Sequence, residues 1–148
     1  MHIFSLLITT LLSTYATDSC PKIEGRFNCI SQGEILEIKI DYKKTADTTI
    51  YVINQDPVIA DGRSRFYENE NVKNGKISGT CVDNKLQHHL KGEFINSKNE
   101  PYGRVNLISV FKPNKSKGLE IIQSGEYFFD EYGEIPIDNV IICVRPES

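Results

Sequence analysis

The sequence has no tryptophan, no C-x-x-C pair, no G-x-S-x-G elbow and no G-x-x-x-x-G-K-[ST] loop. Each missing motif removes a class of function. Without C-x-x-C there is no dithiol redox centre, and without close cysteine pairs there is no zinc knuckle. A hydrolase built on a nucleophile elbow is excluded, as is a phosphate cradle of the P-loop type. Neither charge dominates: 17 basic residues stand against 20 acidic ones, for a net charge of −3. That argues against nucleic acid as a partner, which would call for a concentrated basic face. No run beyond residue 16 reaches the length of about 20 apolar residues that a membrane span needs.

What is present begins with an uncharged apolar run, Ile3 to Ala16, ending Thr14-Tyr15-Ala16. The small residues at the −3 and −1 positions predict a secretory signal at residues 1–16. Residues 17–148 then form one secreted domain, in an external or periplasmic compartment. Four cysteines follow, Cys20, Cys29, Cys81 and Cys143, separated by 8, 51 and 61 residues. An even count in an exported chain predicts two disulfides, with three pairings open. A lipid anchor on Cys20 fits less well, because Thr17-Asp18-Ser19 lacks the expected apolar residue and an odd thiol would remain.

The dominant period is two. In Glu34–Tyr42, Leu36, Ile38, Ile40 and Tyr42 share one face and Glu37, Lys39 and Asp41 the other, as in a half-buried strand. Further strand-like runs cover residues 48–54, 64–69, 77–82, 85–95, 103–112, 119–124, 126–131 and 139–145. Turn signals separate them at Gln32-Gly33, Asp61-Gly62, Asn74-Gly75, Asp83-Asn84, residues 97–101, residues 113–118 and Tyr132-Gly133. A short helix or turn is expected near residues 56–61. No longer segment has a helical stripe. Strands with turns about every ten residues predict an all-β domain. Consecutive hairpins favour an antiparallel up-and-down β-barrel over the alternative β-sandwich, because closure removes exposed edges.

The size, the string of hairpins and the Gly25-Arg26-Phe27 step resemble the lipocalin-like (calycin) barrels. The start Cys20-Pro21-Lys22-Ile23-Glu24-Gly25-Arg26-Phe27-Asn28-Cys29 is similar to small secreted bacterial proteins that begin C-P-x-hydrophobic-x-G-x-aromatic-x-C. The resemblance implies that Phe27 replaces the tryptophan at the barrel base and that Arg145, on the last strand, covers it. The later Thr-Asp-Tyr signature of that family is missing.

The inward set implied by this reading is Phe27, Leu36, Ile38, Ile40, Ile50, Val52, Leu86, His88, Leu90, Leu107 and Phe111. His88 and His89 point to opposite faces of a strand, so they cannot chelate one metal side by side. His88 joins Leu86, Leu90 and Phe94, while His89 joins Gln87, Lys91 and Glu93. Residues 119–139 carry six acids, no Lys or Arg, and the rings of Tyr127, Phe128, Phe129 and Tyr132. Residues 61–71 mix Arg63, Arg65, Phe66 and Tyr67 with Glu68 and Glu70, as at a rim loop or a charged edge. Asn114-Lys115-Ser116 is a formal glycosylation sequon in a loop. The expectation is a monomeric, non-enzymatic binding protein with no cofactor and no metal, holding a small apolar or amphipathic ligand in the barrel interior. The alternative is a protein-interaction module or inhibitor using its loops and residues 119–139.

Overall fold

The computed structural model describes residues 20–147, so the expected signal segment lies outside the described residues. They form ten strands and, among the described residues, no helix. These are β1 (Gly25–Ser31), β2 (Glu34–Lys44), β3 (Thr49–Ile53), β4 (Asp56–Ile59), β5 (Arg65–Tyr67), β6 (Val72–Val82), β7 (Lys85–Ile95), β8 (Pro101–Pro113), β9 (Leu119–Phe129) and β10 (Gly133–Val144). All pair antiparallel in one sheet, ordered β4-β3-β2-β1-β10-β9-β8-β7-β6-β5. Apart from β1 against β10, every neighbour in the sheet is a neighbour in the chain, which is up-and-down topology.

Local chemistry sets the hairpins. Gln32-Gly33, Asn54-Gln55 and Asp83-Asn84 each place two successive residues at positive φ. That backbone matches the right-handed twist of the strands it joins. Two expectations fail locally. Residues 56–59 form strand β4 rather than a helix or turn, because the Asn54-Gln55 turn sends the chain back along β3. Asn74-Gly75 makes a bulge inside β6, between Lys73 and Lys76, instead of a hairpin. Asn74 Nδ2 there donates to Glu93 Oε2 on β7 (3.1 Å).

The sheet curls into a half-barrel, and its two edges meet at one end. Gly79 of β6 lies so close to β4 that a Cβ there would sit 2.6 Å from Val58 Cγ1 and 3.0 Å from the Ile59 carbonyl oxygen. The Gly62 amide donates to the Gly79 carbonyl (2.8 Å). The same end is tied by the segment Cys20–Glu24. Cys20 is disulfide-bonded to Cys81 on β6, Ile23 enters the core, and the Pro21 carbonyl accepts a hydrogen bond from Tyr51 Oη on β3 (2.5 Å). Burial, aided by the neighbouring Tyr42, pushes the Tyr51 phenol well above its usual pKa. It therefore remains the donor this bond requires.

The core lies on the concave side at this tied end, built from Phe27, Cys29, Ile40, Tyr51, Leu86, Phe111, Leu119, Ile121 and Cys143. A second disulfide, Cys29–Cys143, joins β1 to β10 with no solvent access to either residue. Gly25 has φ +114, and a Cβ there would fall 2.5 Å from the Arg145 guanidinium. The missing side chain leaves room for Arg145 to lie over the Phe27 ring, 4.7 Å from its centroid, within cation–π range.

The two disulfides close loops of 61 and 114 residues. Replacing both Cys20 and Cys81 by Ser should lower the unfolding free energy by about 2–4 kcal/mol. The Cys29–Cys143 bond should keep the sheet itself formed. Urea unfolding followed by circular dichroism measures both, and an unchanged midpoint would show that the tie does not hold the fold.

Candidate functional site

Strand parity sorts the concave face into two regions. At the tied end, β3 and β4 face β6, β7 and β8 across a small cavity of about 140 Å3 lined by Ile53, Asp56, Val58, Tyr67, Ile77, His88, Leu90 and Phe111. Its lip is polar. Tyr67 Oη donates to Asp56 Oδ2 (3.0 Å), linking β5 to β4, and Asn69 Nδ2 donates to Tyr67 Oη (2.8 Å). Burial, with the Asp56 bond second, raises the Tyr67 pKa.

His88 sits on the inner wall, paired with Gly79 and Ser109 across the ladder. Burial is the main force lowering its pKa from 6.5 to about 4, helped by His89 and opposed by Asp56. It is therefore neutral at physiological pH. No described residue hydrogen-bonds to its ring.

The other end of the concave face is open and aromatic. Phe94, Tyr102 and Phe129 stack with centroids 5.8–6.2 Å apart and interplanar angles of 8–22°. Tyr127 tilts against Phe94 and Phe129. The gap between Phe94 and Ile95 in the β7–β8 register delivers Tyr102 to this stack. A groove of about 760 Å3 opens beside it, lined by Asn96, Tyr102, Phe129, Asp130, Glu131, Tyr132 and Ile135. Tyr132 is 78% exposed and Tyr102 45%. The Asp130 amide bonds the Tyr102 carbonyl (3.1 Å), which fastens the β9–β10 turn to β8. Two carboxylates and no cation border this groove.

The inward set from the sequence divides among these regions. Phe27, Ile40 and Leu86 fill the core, and Ile38 packs against it. His88, Leu90 and Phe111 line the inner cavity. Leu107 lies on the concave face between the two regions, paired with Leu90 and Gly125. Leu36 shares the inward face but is 51% exposed at the strand end. Val52 and Ile50 point the other way: Val52 pairs with Asp41 and Ile50 with Lys43, while the intervening Tyr51 is fully buried. The Thr48–Asn54 run is apolar on both sides, so its alternation did not mark which face the core takes.

The convex face carries a row that single-strand patterns do not announce. His89 Nε2 lies 2.6 Å from Asn106 Oδ1, and Asn106 Nδ2 donates to Glu126 Oε1 (3.3 Å). Arg104 lies over Phe128, 4.6 Å from its centroid. Only the pairing of β7, β8 and β9 brings these residues together. Arg104, Asn106, Glu126 and Phe128 border a shallow groove of about 470 Å3 with Lys91, Glu93 and Glu134, whose charges largely balance. In the 61–71 segment, which holds the edge strand β5, Arg65 forks onto Asp61 (2.8 and 2.6 Å). Hydrogen bonding from Arg65, followed by the Arg63 amide, holds that carboxyl well below its usual range. Asn114 Oδ1 accepts from Ser116 and Gly118 and so shapes its own hairpin.

Comparison with protein-family models, curated proteins and solved structures yields no match for this chain. Any functional reading therefore stands on the geometry.

His88 gives a pH test with a defined sign. Its folded pKa lies below the unfolded value, so its contribution is whole above pH 6.5 and is lost as the pH falls towards 4. Between about pH 7.5 and about pH 4.5, the wild type should lose about 2–3 kcal/mol more stability than His88→Leu. Urea midpoints of the two proteins at both pH values measure this, and equal losses would contradict a buried, neutral His88.

Proposed function

We propose that this protein is a lipocalin-like binding protein of an oxidising, extracytoplasmic compartment. It acts without catalysis and receives an amphipathic molecule at the open aromatic end of its half-barrel. The compartment is supported by the two disulfides, which persist where thiols are not kept reduced. The family likeness is supported by Arg145 over Phe27 beside Gly25, the arrangement that the family resemblance implies.

The observation that carries the ligand reading is the aromatic stack bordering a groove of about 760 Å3. Binding sites for small molecules span roughly 300–1,000 Å3 and are largely apolar with a few polar groups. The aromatic end falls within that range, and the inner cavity is well below it. Stacked, solvent-facing rings offer area and orientation to an apolar or ring-bearing body. Asp130, Glu131 and Asn96 at the rim favour a neutral or cationic head over an anionic one. This joins the ligand class expected for a barrel to the acidic aromatic segment that the sequence makes conspicuous.

A neutral fluorescent amphiphile, N-phenyl-1-naphthylamine, tests the reading. Fluorescence titration should give saturable binding that weakens about tenfold in Tyr102→Ala and Tyr132→Ala. Tyr132 is exposed, so its variant should fold normally. Dodecyltrimethylammonium should displace the dye more effectively than dodecyl sulfate. Binding that ignores both substitutions would place the ligand elsewhere.

A further inference from the structure

The inner cavity has chemistry that the aromatic end does not share. Its walls are the apolar side chains of Ile53, Val58, Ile77, Leu90 and Phe111; its polar groups are Asp56, Tyr67 and His88. An apolar space of about 150 Å3 holds a benzene ring, and this one, open at its lip, measures about 140 Å3. The three polar groups are not spread evenly. Asp56 and Tyr67 form the lip, bonded to each other, while His88 lies deeper without a hydrogen-bonding partner among the described residues.

The His88 imidazole is only partly buried and takes no hydrogen bond from a described residue, so its ring nitrogens are open to a polar atom in the cavity. Here the only carboxylate that lines the cavity stands at its mouth, and no Lys or Arg lines the space. Asp56 is exposed, and one of its oxygens, Oδ2, accepts the Tyr67 hydroxyl. The other faces no partner among the described residues.

We propose that this cavity is a second site, separate from the aromatic end, for a small molecule with one ring and an ammonium group. The ring occupies the space between Val58, Leu90 and Phe111. The ammonium stays at the lip, where Asp56 meets it with a charge-assisted hydrogen bond. The His88 imidazole, with one donor and one acceptor nitrogen, faces whatever polar atom the ring bears. An anion of the same size would meet the Asp56 carboxylate and be rejected, which gives the site its selectivity.

The probe is benzylamine, with benzyl alcohol and benzoate as neutral and anionic controls of the same shape. The full secreted chain with both disulfides intact is titrated, and the His88 ring resonances are followed by NMR. Saturable shifts are expected with benzylamine, weaker ones with benzyl alcohol and none with benzoate. Asp56→Asn should weaken benzylamine about tenfold or more, because a charged hydrogen bond is lost while the Tyr67 contact survives. Leu90→Phe should abolish binding by filling the ring space. Should that variant fail to fold, Asp56→Asn, at an exposed position, decides alone. Tyr132→Ala should leave benzylamine binding unchanged, so this site and the aromatic end succeed or fail separately. Benzoate binding as well as benzylamine, indifference to Asp56→Asn, or unshifted His88 resonances up to saturating benzylamine would each overturn the proposal.

Discussion

The tie of the segment Cys20–Glu24 across the half-barrel is what the rest of the structure depends on. A ten-stranded sheet with β4 and β5 at its ends has two edges and no ladder to join them. Curling alone would leave its concave face wet at both ends. The Cys20–Cys81 bond and the hydrogen bond from Tyr51 to the Pro21 carbonyl draw β3 and β6 towards one another. Ile23 fills the space beneath. The small contact surface of Gly79 then lets β4 approach β6 to hydrogen-bonding distance nearby. One end becomes a core, and the other stays open.

That asymmetry is what the two proposed sites rest on. Apolar rings exposed at one end of a concave face are a liability unless something covers them. Yet Tyr102, Phe129 and Tyr132 are held there by backbone bonds between turns and strands rather than left loose. At the tied end, the same curl leaves a space too small for an amphiphile but large enough for a ring. Its polar lip is made by the very strands, β4 and β5, that remain unpaired with one another. The two proposed sites thus rest on a single mechanical fact: the half-barrel is closed at one end only.

Much of the fold was legible in the residues. The period of two, the Gln32-Gly33 and Asp83-Asn84 turns and the even cysteine count define hairpins and staples locally, and β7 spans the residues that its pattern predicts. The position of Arg145 over Phe27 was readable only through a family resemblance, because Phe27 lies on β1 and Arg145 just beyond the end of β10. What misled was apolar sequence without alternation. Around Tyr51 it hid the inward face, and in β10 the apolar Val140, Ile142 and Val144 are exposed. Asn-Gly signals a backbone conformation rather than a chain reversal, so at Asn74-Gly75 it made a bulge. The candidate sites were less legible still. Asp56, Tyr67 and His88 come from β4, β5 and β7, and no spacing in the chain records that a curled sheet brings them to one cavity.

The central claim is that an amphipathic ligand sits at the open aromatic end. Hydroxyl-radical footprinting read by mass spectrometry, with and without a saturating neutral amphiphile, tests it most directly. The account predicts that Tyr102, Tyr132 and Ile135 are oxidised in the free protein and protected when the amphiphile is bound. Tyr51 should stay unreactive in both states, because it is fully buried. Protection confined to residues outside that end, or rings already shielded in the free protein, would contradict it.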